Sequence, residues 1–270
     1  MTTKFQRRGY DPDDDQLFSH TACLVLLTAQ EEIRWLLNRG YPMGSVTELV
    51  GSHYQLTTRQ RMALQRATAT DRQIQARRKS LLPAESAGLG TVLIDGFNLI
   101  ILLEVALSGG LLILGSDGVL RDLAGLRGTY RILAWTDQAI GLIGQSLASL
   151  HVPEAVFYLD QNVSNSGRLK QLILSHAPEW PFPVRVELVP NADTCLGQKE
   201  RVVSQDSFVL DACTSWLNLS GTIVAQSIHS ARIIPLAPEY RDSSISCDDD
   251  LCQNRNQTET VSALPDESGT

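Results

Sequence analysis

Val92-Leu93-Ile94-Asp95-Gly96-Phe97-Asn98 is the stretch that decides the fold. A short apolar run, predicted as a strand near 91–95, delivers an aspartate, a glycine and then an asparagine three residues past the acid. The same device recurs along the chain. Val156-Phe157-Tyr158-Leu159 ends in Asp160, Val186-Glu187-Leu188-Val189 is followed by Asp193, and Val202-Val203-Ser204 by Asp206. In an open parallel sheet the carboxyl ends of the strands share one edge, where ligand sites of doubly wound folds lie. The pattern therefore predicts four acids gathered along that edge.

Outward from these runs, strands are predicted near 91–95, 155–160, 184–189, 201–204 and 221–225, with helices near 97–107, 125–149, 166–176 and 206–217. This alternation argues for an α/β fold, a three-layer sandwich with a mostly parallel sheet. Residues 109–124 read as an insertion, a hairpin built on Gly109-Gly110 and turned at Ser116-Asp117-Gly118. Before the sandwich, residues 1–85 form a basic module in which 16–82 carry helical spacing (Leu24, Leu27, Ile33, Leu36, Leu37) broken at Gly40-Tyr41-Pro42. A second helix is expected near Ser45, with Glu48 as capping-box partner, and a third from Thr57 or Thr58. Residues 83–90 read as a linker, 91–235 as the α/β domain, and 238–270 as an acidic tail expected to be disordered.

The chain has 270 residues, enough for a large buried core, and its 43% hydrophobic and 20% charged content is that of a globular protein. The net charge is −7, but its sign is uneven: residues 1–90 hold twelve Lys/Arg against nine Asp/Glu, and 91–270 hold eleven against twenty-one. Cys23, Cys195, Cys213, Cys247 and Cys252 form no CxxC pair, so neither a zinc site nor a disulfide framework is expected, and a cytoplasmic setting fits. The N-terminus lacks the apolar core of a secretory signal, and the apolar run 97–114 is interrupted by Asn98, Glu104 and Ser108-Gly109-Gly110, so no membrane span is expected.

A lone strand-end aspartate is more often a helix cap or a turn residue than a ligand, and Asp193 and Asp206 both precede helical stretches. Capping explains each acid separately but not their convergence. Two carboxylates about 4 Å apart repel by roughly 4 kcal/mol at an effective dielectric of 20. A cation would relieve that repulsion, and an oxygen-only donor set suits Mg²⁺ or Mn²⁺. Such ions lower the pKa of a bound water and hold the oxygens of a phosphodiester.

Leu93-Ile94-Asp95-Gly96-Phe97-Asn98-Leu99 resembles the first-strand signature of NYN-type nucleases in the PIN-like superfamily. Asn191-Ala192-Asp193 resembles that family's acid at the start of a helix after a middle strand, and Val203-Ser204-Gln205-Asp206-Ser207 its S/T-x-D acid after the fourth strand. The likeness covers residues 91–225 and implies a PIN-like α/β/α sandwich, metal-dependent phosphodiester cleavage and a middle acid, for which Glu104, Asp117 and Asp122 compete. Most of residues 20–225 also resembles an archaeal and bacterial family of unknown function, through Leu36-Leu37-Asn38-Arg39-Gly40-Tyr41-Pro42, Val119-Leu120-Arg121-Asp122-Leu123 and Asp160-Gln161-Asn162-Val163-Ser164-Asn165-Ser166-Gly167-Arg168.

Substrate capture needs cations, because an acidic site repels polyanions. Arg168 and Lys170 follow a small polar segment at a helix start, where backbone N–H groups can add to a phosphate site. Arg121 precedes Arg127 and Arg131, and the last two could share a helical face. Between 59 and 79 only Asp71 opposes seven positive charges, among them Arg72, Arg77 and Arg78. Each of these can equally be a solvated helix face. No G-x-G-x-x-G, G-x-x-x-x-G-K-[ST] or G-x-S-x-G is present, and Phe97 stands where an aspartate-nucleophile phosphatase has its second acid. The expectation is a nuclease, more readily of RNA than DNA, that uses Mg²⁺ or Mn²⁺ held by Asp95, Asp160, Asp193 and Asp206, with Asn98 orienting ligand or substrate. The alternative is a non-catalytic RNA-binding or interaction module on the same fold.

Overall fold

The computed structural model describes residues 7–125 and 128–237. Arg127 and the acidic tail, both singled out above, lie outside the described residues.

Five helices come first: α1 (Asp14–Leu17), α2 (His20–Leu37), α3 (Met43–His53), α4 (Thr58–Ala67) and α5 (Asp71–Ser80). The capping boxes are Thr57–Gln60 on α4 and Thr70–Gln73 on α5, in place of the expected Ser45–Glu48, and α3 opens directly after Pro42. The run 59–79 is thus two helices, split at Thr68-Ala69-Thr70, because the second box starts a new helix there.

The α/β part follows as β1 (Val92–Asp95), α6 (Gly96–Leu107), β2 (Leu111–Leu114), β3 (Leu120–Asp122), α7 (Ala134–Ser149), β4 (Ala155–Asp160), α8 (Ser166–His176), β5 (Val184–Val189), α9 (Ala192–Leu196), β6 (Val202–Val203), α10 (Ser207–Ala212), α11 (Leu219–Ser227) and β7 (Arg232–Pro235). The main sheet has the order β5-β4-β1-β6 and is parallel throughout, with Asp95 opposite Tyr158 and Asp160 opposite Val189. Helices flank it on both sides. Ile94, Phe157 and Val203 face a core with α6, α7 and α8, while Leu93, Tyr158 and Val202 pack towards Leu196, Val209 and Trp216. Strand alternation separates these two sets.

A second sheet, β3-β2-β7, lies beside the first: β2 pairs antiparallel with β3, as the hairpin reading predicts, and parallel with β7. Leu111, Ile113 and Leu236 share one core with Leu26, Ile33, Val50 and Leu64 of the N-terminal helices. The N-terminal module and the second sheet are therefore packed as one layer pair.

Three expected elements change. Residues 221–225 are not a fifth strand but part of α11, where Asn218 caps the start by accepting from Gly221 N, and β-branched Ile223 and Val224 are buried on a helix face. The helix expected over 125–149 starts only at Ala134, after positive-φ glycines at 125 and 128 keep the chain out of the right-handed helix. Arg131 consequently sits in the loop rather than on a helical face. The helix expected over 206–217 ends at Ala212, and Trp216 beyond it bridges to Leu81 and Val202.

Candidate functional site

The order β5-β4-β1-β6 sends the chain from β1 out through β4 to β5 and back to β6 on the other side of β1. The reversal places a crevice beyond the carboxyl ends of β1 and β6, where such sheets bind ligands. A cavity of about 410 Å³ opens there, lined by Asp95, Asp160, Asp193 and Asp206, together with Asn98 and Gln205. All four strand-end acids thus reach one cavity.

Three of the four acids also serve the backbone. Asp95 caps α6, accepting from Asn98 N at 3.4 Å, and takes the Ser204 hydroxyl at 2.8 Å. Asp206 caps α10 through Phe208 N at 2.7 Å and Val209 N at 3.4 Å. Asp160 accepts Ala192 N at 2.8 Å, tying β4 to the start of α9. Asp193 is not the cap of α9; Asn191 is, leaving Asp193 in the first turn beside the cavity. Asn98 accepts Gln205 N at 2.9 Å and so joins α6 to the segment after β6. Capping and convergence are both true of Asp95 and Asp206, because the cavity lies where helices begin.

The electrostatics record the crowding. Asp95 is only 5% exposed, and burial pushes its carboxyl up to about 7; the Ser204 hydroxyl opposes this, and the charges of Asp193 and Asp206 add to it. Burial, then Asp206 and Asp160, push Asp193 up to about 6. Gln205 is 4% exposed, and its Oε1 has no hydrogen-bond partner among the described residues. The donor set is oxygen-only and fits a hard divalent cation. Among the described residues no group of three or more His, Cys, Asp or Glu side chains is arranged to hold a metal ion. An ion at this site would be held by one or two carboxylates and otherwise by water, the usual habit of Mg²⁺.

Residues 84–222 match the family described as Domain of unknown function (DUF5616), and residues 25–79 match Protein of unknown function (DUF434). An uncharacterized protein of Methanocaldococcus jannaschii is 33% identical over 182 residues, covering 67% of this chain and 87% of the relative. The chain belongs to the DUF5616 family. No solved structure matches it. The DUF5616 segment holds all four aspartates, Asn98 and Gln205. Gln65 and Arg66, which also line the cavity, come from α4 in the DUF434 segment.

Of the three acids competing for the middle position, Asp122 lines the cavity, where it accepts from Arg66 Nη1. Glu104, on α6, is fully buried, paired with Arg8 at 2.5 Å and accepting the Tyr130 hydroxyl at 2.8 Å. Asp117 is locked between two arginines, with Arg77 Nη1 at 2.6 Å and Arg121 Nη2 at 2.7 Å.

The candidate cations separate in the same way. Arg77 is 2% exposed and bound to Asp117 and, through Nε at 2.7 Å, Asp211, so it presents no charge to solvent. Arg121 lines the cavity, but Asp117 balances its charge, and Nε holds Gln205 O at 3.0 Å. Arg72 and Arg78 are exposed on α5, and Arg168 is exposed and Lys170 half-buried on α8; none of these four lines the cavity. The seven-to-one imbalance of 59–79 is largely neutralised from elsewhere: Arg59 pairs with Asp14, Arg61 with Glu48, Arg66 with Asp122 and Arg77 with Asp117. Sequence spacing carried no signal for Gln65 and Arg66, which reach the cavity only because α4 packs over the second sheet. Ser204 was visible as the S/T of S-x-D, though not as the partner of Asp95.

Proposed function

We propose that this chain is a metal-dependent nuclease that hydrolyses phosphodiester bonds, in RNA in preference to DNA. One observation carries the reading: four strand-end aspartates line one cavity at the point where the strand order reverses, and two of their carboxyls hold protons unusually tightly. An anionic site of this kind gains most from a divalent cation, and the resemblance of 91–225 to NYN-type nucleases points the same way. Bound Mg²⁺ or Mn²⁺ supplies an activated water and neutralises charge on the phosphodiester.

The chain's own residues do the rest. Ser204 and Asn98 N fix the Asp95 carboxyl in one orientation, so its free lone pairs face the cavity. Asp160, Asp193 and Asp206 complete the anionic wall that would draw in the ion. Gln205 N occupies Asn98 Oδ1, which leaves Asn98 Nδ2 as a donor to a phosphate oxygen. Gln205 Oε1, buried and unpartnered, would accept from a metal-bound water or a ribose hydroxyl. Cys195 and Cys213 are free thiols, as suits a protein working in the reducing cytoplasm.

The test is cleavage of a labelled single-stranded RNA in Mn²⁺. Wild type should cut it, and Asp95→Asn should lose at least about 100-fold in rate while keeping its circular dichroism spectrum, since one oriented polar group is commonly worth that much. Cleavage by the variant at the wild-type rate removes Asp95 from the chemistry. The second reading is a non-catalytic RNA-binding module on the same fold, to which the lack of a metal-holding group of three or more His, Cys, Asp or Glu among the described residues corresponds. It predicts RNA binding with no Mn²⁺-dependent cleavage by wild type.

A further inference from the structure

A second cavity of about 230 Å³ adjoins the acidic one, and Gly125 lines both. Its charge is opposite. Arg7, Arg8 and Arg131 line it, and no acidic residue does so among the described residues. Their guanidinium groups are not equally committed. Arg8 is balanced by buried Glu104 at 2.5 Å, donates to Arg131 O and lies 4.7 Å above the Tyr130 ring. Among the described residues Arg7 donates only to a carbonyl, Ser108 O, and it lies over the Tyr10 ring at 4.4 Å. Arg131 is exposed, and its side chain has no ion-pair partner among the described residues. Among the described residues the cleft thus carries two uncompensated positive charges.

The cleft is built rather than incidental. Gly9, at φ +66°, lies so close to Ala124 that an added Cβ would sit 3.0 Å from its Cβ, so the N-terminal segment is laid tightly along the loop after β3. The far wall is also tied down: Ser164 N donates to Gly128 O at 3.1 Å, Tyr130 N to Ser164 Oγ at 3.2 Å, and Asn165 Nδ2 to Tyr130 O at 2.8 Å. Those bonds anchor the loop carrying Arg131 to the segment that follows Asp160, one of the four aspartates. The small polar run Ser164-Asn165-Ser166 is therefore a fastening for this loop rather than a phosphate cradle of its own.

We infer that the Arg7–Arg8–Arg131 cleft binds the phosphate backbone of a single polynucleotide strand and leads it to the acidic cavity past Gly125. The inference rests on the nuclease reading for the direction of travel and on charge and shape for the binding. Planar guanidinium groups match phosphate oxygens in pairs, and arginines already resting on aromatic rings lose little freedom on binding. A polyanion needs such a foothold beside an acidic site, because the four aspartates repel its next phosphate.

The experiment separates binding from cutting. A fluorescent 16-nucleotide single-stranded RNA is titrated in chelator across a range of salt, and cleavage is assayed separately in Mn²⁺. Arg7→Ala/Arg131→Ala should weaken binding about tenfold or more and lower the salt slope by roughly 1.4, two phosphate contacts at about 0.7 each. Arg168→Ala/Lys170→Ala removes as much charge from α8 and should change binding by less than about twofold. Arg8 is left alone because Glu104 depends on it, and Arg131→Glu provides a single exposed substitution that should weaken binding at least as much. Affinity and slope equal to wild type in Arg7→Ala/Arg131→Ala overturn the cleft while leaving the nuclease reading standing. A wild type that binds RNA in this arginine-dependent way but cuts nothing in Mn²⁺ overturns the nuclease and keeps the cleft. No binding by wild type overturns the cleft outright.

Discussion

Asp95 serves two ends that pull its proton affinity in opposite directions. As a helix cap and hydroxyl acceptor it is favoured ionised; as a buried acid among acids it is favoured protonated, and burial wins, leaving it at about 7. The folded carboxyl therefore holds its proton well above the ordinary aspartate value of 3.8. A raised carboxyl gives stability that is full below about 3.8 and lost as the pH rises towards 7, at up to about 1.4 kcal/mol for each pH step of one. In chelator, the wild-type melting temperature should fall between pH 5 and pH 8 by several degrees more than that of Asp95→Asn, which does not titrate. Asp193, raised to about 6, contributes in the same direction in both proteins. Parallel melting curves for the two proteins across this range would show that Asp95 is ionised at little cost. Added Mn²⁺ should restore more stability to wild type than to the variant at pH 8, because the ion replaces the proton.

At the scale of elements, Arg77 shows how α5 is held. Its guanidinium joins Asp117 in the β2–β3 turn to Asp211 on α10, and with Arg121 it brackets Asp206, since Arg77 Nη2 reaches Ser207 O at 3.4 Å and Arg121 Nε reaches Gln205 O at 3.0 Å. Removing one member of a buried charge network leaves the others unpaired and typically costs about 3–5 kcal/mol. Arg77→Ala should lower the unfolding free energy by that order in urea, whereas Arg72→Ala, exposed on the same helix, should change it by less than about 0.5 kcal/mol. Equal small effects would place Arg77 outside the fold's framework. The same residue marks the limit of reading this chain as a string. The four parallel strands, the hairpin and the four aspartates were legible because each leaves a local mark, an apolar run ending in an acid or a pair of glycines. Partners such as Asp117 for Arg77, forty residues away, leave none, so a buried network looked like a basic helix face. The Thr222-Ile223-Val224 run likewise reads as strand by propensity, and only the Asn218 cap and the core against α6 and α7 make it a helix. The β2–β7 pairing joins residues more than a hundred positions apart, which no periodicity encodes.

For the whole molecule, the question is whether the helical and α/β segments, matched by two separate families, stand alone. The packing says they do not. Leu111 and Ile113 of the second sheet and Leu236 just past β7 are fully buried only because α2, α3 and α4 cover them, and Gln30 on α2 donates to Leu236 O at 2.6 Å. Trp216 Nε1 likewise donates to Arg77 O at 2.8 Å, fastening α5 to the main sheet's second face. Cutting the chain before residue 84 would expose one whole face of the three-stranded sheet, and an uncovered apolar sheet is a template for aggregation. The fragment 84–237 should therefore be recovered as aggregate, and co-expression with residues 1–83 should rescue it as a complex. The intact chain should melt in one calorimetric transition, its van't Hoff and calorimetric enthalpies agreeing, because the shared core couples the two segments. Two resolved transitions, or a monomeric and cooperatively folded 84–237, would show the helical layer to be an accessory. The acidic cavity makes the coupling matter for function, since Gln65 and Arg66 of the helical segment and the aspartates of the α/β segment line it together only while that core holds.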